Sequence, residues 1–218
     1  GLGVSVNLQT RSNSYVVAAR NINDGISIIQ TAEQVVDAST SILQRMRELA
    51  VQSASETLAN GERAYIQEEY VQLTGEIHRL GLGSNFNGTQ IADGSVPTID
   101  VQVGIDGDNN NQITVAMPTL RPVFFAVQGE SLLTADDARD AIDEFDDQIA
   151  EMSRSRAVLG ASHNRLLSSL EIAGQSQMGL TSAASRIVDV DYASELAQMS
   201  KMQIMQSAGM SALAQSRN

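Results

Sequence analysis

The string Asp106-x-Asp108-x-Asn110 has the oxygen spacing that opens a calcium-binding loop. Such a loop needs a Gly at its sixth position for the sharp turn and a bidentate Glu at its twelfth. Here those positions hold Asn111 and Met117, and alternating apolar residues flank the string where helices should. It therefore reads as a plain hairpin turn. The two histidines offer no better case for catalysis. His163 falls on an apolar helical stripe and His78 stands beside Ile77, and neither has a nucleophile nearby in sequence to activate. There is no Gly-rich phosphate loop and no nucleophile elbow. The chain has no cysteine, so disulfides and thiolate metal sites are out of reach. No catalytic residue, metal or cofactor is expected.

What remains is a surface. In residues 43–52 the polar side chains Gln44, Arg45, Arg47 and Glu48 lie opposite an apolar stripe. Isolated charges on a helix face are ordinarily just solvated, and periodicity alone does not make these a site. The stripe itself, Ile28, Ala32, Val35, Ser39, Ile42, Met46 and Leu49, steps by four and three, which keeps one helix face against a partner helix. A flanking column, Ile29, Val36, Leu43 and Ala50, widens it to that of a bundle helix. Near the C-terminus Met199, Met202, Met205 and Met210 read as packing against a helix outside this chain, with a plastic binding surface as the alternative.

Composition fits helices that pack as thin layers. The 218 residues are 42% hydrophobic but only 4% aromatic, with no Trp, so little buried area can come from rings. A net charge of −12 argues against the basic stripe that a nucleic-acid surface needs and disfavours anionic lipid. There is no signal peptide and no apolar run long enough to span a bilayer. The chain opens on Gly1-Leu2-Gly3 and stops at Asn218 inside an Ala/Met-rich helical pattern, and both ends read as cut points.

Taken in order, residues from about 4 to 55 read as one helix, although Asn23-Asp24-Gly25 is ordinarily a turn signal. Asn60-Gly61 marks a break, and Glu62 suits the start of a second helix carrying Ile66, Tyr70, Leu73, Ile77 and Leu80. Their short connection implies antiparallel neighbours. Residues 85–133 hold all three prolines, Pro97, Pro118 and Pro122. There Ile99, Val101, Val103 and Ile105, then Ile113, Val115 and Met117, alternate with polar residues as a β-hairpin. From Thr134, with Asp137 in a capping-box position, the helical period returns. Its stripe runs through Ala138, Ile142, Phe145, Ile149, Met152, Arg156, Leu159, His163, Leu166, Leu170, Ala173, Gln177, Leu180, Ala184 and Ile187. About fifty such residues make a rod of roughly 75 Å, and Arg156 and Gln177 are its register-setting polar positions. The expected fold is mainly α, an elongated antiparallel helical bundle or coiled-coil rod with a small β-hairpin region. Its expected parts are 1–84, 85–133 and 134–218.

Motifs go further than period. The opening decapeptide, Asn21-Ile22-Asn23-Asp24-Gly25-Ile26-Ser27 and Asn85-Phe86-Asn87-Gly88 closely resemble the N-terminal core of bacterial flagellins. Arg186-Ile187-Val188-Asp189-Val190-Asp191-Tyr192-Ala193-Ser194-Glu195 and Ser211-Ala212-Leu213-Ala214-Gln215 resemble their C-terminal core. Only residues 89–135 lie between the matching halves, so any outer domain is absent or reduced to the hairpin region. Val188 and Met46 stand where relatives often carry an acidic and a branched aliphatic residue, and neither change alters the stripe.

The resemblance implies a structural subunit of an extracellular flagellar filament, exported without a cleaved signal peptide and assembling with other copies through its helical rod. Most terminal helices of the filament's inner tube would be missing from this sequence. A hook–filament junction protein is the runner-up. The resemblance also implies recognition by Toll-like receptor five at Leu43, Gln44, Arg45, Leu49 and Glu69, with Glu48 on the same outer face. An export chaperone for the C-terminal segment is a further implied partner.

Overall fold

The structure is a computed structural model that describes residues 2–216, excluding the side chains of residues 2, 190–194 and 213–216. Gly1 of the opening string, and the side chains of 190–194 and 213–215 within the two C-terminal motifs, lie outside the described residues. The fold is mainly α. Helix α1 spans Leu2–Ser53, α2 Asn60–Gly83, α3 Arg121–Gln128 and α4 Ala135–Ser216. Between α2 and α3 come two antiparallel strand pairs, β1 (Asn85–Phe86) with β2 (Thr89–Gln90) and β3 (Thr98–Gln102) with β4 (Gln112–Ala116). The chain divides into two compact units, Arg20–Leu170 and a second made of Gly1–Ala19 with Glu171–Asn218.

In the larger unit α2 and α4 each pack antiparallel to α1. Arg47 and Asp37 on α1 pair with Asp146 and Arg156 on α4, so ten residues forward on one helix match ten residues back on the other. Arg45 on α1 meets Glu69 on α2, each about equally far from the connecting loop. Helix α1 buries two seven-residue columns, Ile22, Ile29, Val36, Leu43 and Ala50 beside Gly25, Ala32, Ser39, Met46 and Ser53. Of the stripe expected above, Ala32, Val35, Ser39, Met46 and Leu49 are buried. Ile28 and Ile42 are only half-buried, whereas the column expected to flank them is fully inside. The second column is made largely of small residues, which lets the partner backbone come close. On α4 the buried column is Ala138, Phe145, Met152, Leu159 and Leu166. Arg156, expected on that stripe, is instead exposed in its pair with Asp37. A charged head stays in water whenever the helix can turn it outward.

The Asn23-Asp24-Gly25 turn signal is overridden, and α1 runs straight through it. The reason lies in packing. A Cβ built on Gly25 would sit 2.8 Å from Val101 Cγ2 and 3.2 Å from Leu166 Cδ1, so only a glycine lets β3 and α4 meet α1 here. Val101 is β-branched and stiff at χ1, so it cannot swing aside cheaply. Gly25→Ala should therefore destabilise by about 1–2 kcal/mol, since overpacking outweighs the helix-propensity gain of about 1 kcal/mol. Chemical denaturation checks this, and adding Val101→Ala should recover much of the loss.

The expected hairpin forms with register Ile99↔Val115 and Val101↔Ile113. Val101, Ile113 and Val115 face inward while Thr114 Oγ1 donates to Asp100 Oδ1 on the outer side at 2.5 Å. In the loop, the Asp108 carboxylate caps a 3₁₀ turn over Asn109–Asn111, accepting from Asn110 N at 3.1 Å and Asn111 Nδ2 at 2.6 Å. Two elements went unforeseen. One is the β1–β2 hairpin, turned on Asn87 and Gly88 with φ of 49° and 83°. The other is α3, whose Pro122 sits in the first turn, where no intrahelical donor is needed.

Thr134 starts α4 as expected, accepting from Asp137 N at 3.1 Å. In the smaller unit, Ser5, Ser12 and Ala18 are buried on α1, and Ala173 and Ala184 on α4. Ser12 Oγ and Thr181 Oγ1 share a hydrogen bond of 2.9 Å. Further along α4, Met199, Met202, Met205 and Met210 are all exposed. Among the described residues, no helix is long and apolar enough to cross a membrane.

Candidate interaction surface

Six residues were expected on an outer face, and the fold sorts them. Helical spacing turns Leu43 and Leu49 into the core, at 0% and 1% exposure, so they support the face from beneath. Gln44, Arg45, Glu48 and Glu69 are exposed. The antiparallel arrangement of α1 and α2 brings three of these together. Arg45 Nε donates to Glu69 Oε1 at 2.7 Å and Nη1 donates to Glu48 Oε2 at 3.1 Å. The hydrogen bond with Glu69, then that with Glu48, raises the Arg45 pKa above its ordinary value. The guanidinium is thus held in one orientation on an open surface.

A second charge pair lies nearby. Arg47 grips Asp146 with both ends of its fork, Nε to Oδ1 at 2.6 Å and Nη2 to Oδ2 at 3.0 Å. Arg47 in turn holds the Asp146 carboxyl below its usual range. Exposed pairs of this kind contribute little to stability. Their effect is to fix side-chain positions along the seam between α1 and α4.

Where α2 meets α3, an aromatic groove of about 290 Å³ is lined by Ile77, His78, Leu82, Arg121, Phe124 and Phe125, among others. His78 stacks on Phe124 with ring centroids 4.4 Å apart, and the Arg121 guanidinium carbon lies 5.9 Å from the Phe125 ring centre. The sequence reading missed this groove, and the signal that could have found it is the adjacent Phe124-Phe125 pair in a chain with four Phe. His163 is half-buried on α4. Among the described residues no group of three or more His, Asp or Glu is placed to hold a metal ion. Glu130 lies near Glu144, Asp140 and Asp137, and burial, then these neighbours, raise its pKa.

Comparison with known proteins gives these surfaces a family. Residues 1–96 match the model of the bacterial flagellin N-terminal helical region, and residues 142–218 match that of the C-terminal helical region. A flagellin of Halalkalibacterium halodurans is 36% identical, over 99% of this chain and 79% of that protein. The flagellar filament 33 kDa core protein of Treponema phagedenis is 33% identical, over 99% of this chain and 80% of that protein. The crystal structure of Bacillus cereus flagellin superposes with a TM-score of 0.62 at 28% identity, over 70% of this chain and 88% of that one. A putative flagellar hook-associated protein of Vibrio parahaemolyticus gives 0.69 over 84% of this chain and 95% of that one, but at 13% identity it shares the fold alone.

Proposed function

The chain belongs to the bacterial flagellin family, a family of structural proteins, and we propose that it is a structural subunit of the flagellar filament. The observation that carries this is the match of both chain ends, in order, to the two flagellin helical regions. A filament subunit needs head-to-tail contacts that do not close into a ring. Long helices with a packed inner seam and a polar outer face, with the β3–β4 hairpin free to touch the next subunit along a protofilament, meet that need. In this proposal the subunit works outside the cell, as part of the flagellum. The exposed apolar side chains Met199, Met202, Ile204 and Met205 would be what an export chaperone covers on the way.

The test is to seed the protein with short filament fragments and follow growth by electron microscopy. Long tubular extensions are expected. Short caps that stop growth would instead favour a hook–filament junction protein, whose hook-associated relative has the same fold.

The outer face has a second reader in this proposal, Toll-like receptor five. Support comes from the grouping of Arg45, Glu48 and Glu69, exposed and mutually oriented, with Gln44 alongside. Buried Leu43 and Leu49 would act indirectly, by holding α1 in place. Arg45→Ala should weaken receptor binding by more than about ten-fold, as expected for a central arginine. Because its ion pairs are exposed, the fold should be unaffected, so circular dichroism read beside the binding isotherm separates the two. Unchanged affinity in a folded variant would remove Arg45 from the interface.

A further inference from the structure

Two Asn-Gly pairs occur in the chain, Asn60-Gly61 and Asn87-Gly88, and the fold treats them differently. In such a pair the next main-chain nitrogen can attack the asparagine amide, because glycine has no Cβ to crowd the approach. We propose that Asn87 is a site of spontaneous, age-dependent deamidation in the folded protein, while Asn60 is held unreactive by the structure around it.

The two environments differ at each point the chemistry needs. Asn87 and Gly88 form the whole of a two-residue loop, both exposed, outside a ladder that pairs Asn85 with Gln90 and Phe86 with Thr89. Among the described residues the Asn87 side chain makes no hydrogen bond, and the Gly88 N–H makes no main-chain one. The strands on either side have only two residues each, so the turn can open locally and sample the angle of attack. Asn60, by contrast, is the first residue of α2. Its Oδ1 accepts from Arg63 Nη1 at 3.2 Å, and the turn around it is closed by bonds from Glu62 N and Arg63 N to Ala59 O at 3.0 and 3.1 Å. Attack there requires unwinding the helix start and releasing a buried arginine.

The reaction needs only solvent. The Gly88 nitrogen bonds to Asn87 Cγ, the Cγ–Nδ2 bond breaks, and ammonia leaves with the proton that the Gly88 nitrogen gave up. Water then opens the resulting succinimide. Cleavage at the Cγ–N bond gives aspartate, and cleavage at the main-chain carbonyl gives isoaspartate with the backbone lengthened by a methylene. Either product places a new carboxylate in the groove that Asp24 already lines together with Ile28, Phe86 and Ile99. Like charges there should loosen the β1–β2 hairpin from α1.

The experiment is peptide mapping by mass spectrometry of the intact protein aged at mildly alkaline pH, with and without urea. In the native protein the Asn87 peptide should convert at least about ten-fold faster than the Asn60 peptide, and in urea the two rates should converge. Arg63→Ala should speed Asn60 alone, and Gly88→Ala should slow Asn87 alone. Equal native rates, Asn60 ahead of Asn87, or native protection of Asn87 by more than about ten-fold relative to urea would each overturn the proposal.

Discussion

Arg63→Ala should lower the free energy of unfolding by about 2–3 kcal/mol, a sizeable fraction of the roughly 5–15 kcal/mol that holds a typical domain folded. Arg63 is 6% exposed, yet no carboxylate lies within ion-pair distance of it among the described residues. Its charge is met by oxygens at the end of α1. Nε donates to Ser53 O at 3.0 Å, Nη2 to Ser55 O at 2.7 Å and Nη1 to Asn60 Oδ1 at 3.2 Å. The last carbonyls of a helix lack intrahelical donors and carry the negative end of its dipole, so a buried guanidinium is a matched cap. Removing it leaves the carbonyl of buried Ser53 short of a partner, at roughly 1–3 kcal/mol, while Ser55 O keeps its bond from Leu58 N at 3.2 Å.

The clasp extends further. Ser53 Oγ donates to Leu132 O at 2.5 Å, and Leu132 N donates to Gln67 Oε1 at 2.7 Å, which ties the segment before α4 to the same corner. Arg63→Lys should recover less than half of the loss, because a point charge cannot serve three oxygens in different directions. Urea unfolding with an unchanged slope is the measurement. A loss under about 1 kcal/mol would mean that water enters and takes over the carbonyls.

This corner was only partly legible in the sequence. Arg63 occupies the same seven-residue column as Tyr70 and Ile77, so its inward direction could have been counted. Its charge argued the other way, and nothing local showed that the end of α1 would supply the oxygens. On α1, Ala32, Ser39 and Met46 were readable as part of the stripe. Gly25 and Ser53, which continue the same buried column, carry too little apolar signal to mark it, and the small size of Gly25 is what lets Val101 and Leu166 come close. Helix α3 was hidden by Pro118 and Pro122, read as loop punctuation, although Val123 and Val127 four apart were its packing face. The long helices and the β3–β4 hairpin were readable because each rests on a repeating local pattern, whereas the break expected at Asn60-Gly61 falls at residues 54–59, just before Asn60 opens α2. On the outer face, Gln44, Arg45 and Glu48 were readable as exposed, whereas the closure of Glu69 onto Arg45 is a tertiary fact.

Phe145→Ala should cost about 3–5 kcal/mol, the range for losing a large buried ring. Phe145 is fully buried, among the largest side chains wholly inside the fold. Its ring lies 5.8 Å from that of Tyr70, tilted by 40°. Tyr70 in turn donates its hydroxyl to Val127 O at the end of α3, and burial pushes its pKa up to about 12. The phenol therefore stays a donor at any pH the filament would meet, and the tie between α2 and α3 depends on how firmly the Tyr70 ring is held. Emptying the Phe145 site should loosen that tie, so hydrogen exchange in α3 should rise by more than the global loss of stability predicts. Phe145→Leu keeps most of the volume and should cost less than about 1.5 kcal/mol. Phe125→Ala, on the exposed side of α3, should stay within about 0.5 kcal/mol. If Phe145→Ala weakened the fold without changing exchange in α3, the Tyr70 hydroxyl alone would be holding that helix, and Tyr70→Phe would become the variant that releases it.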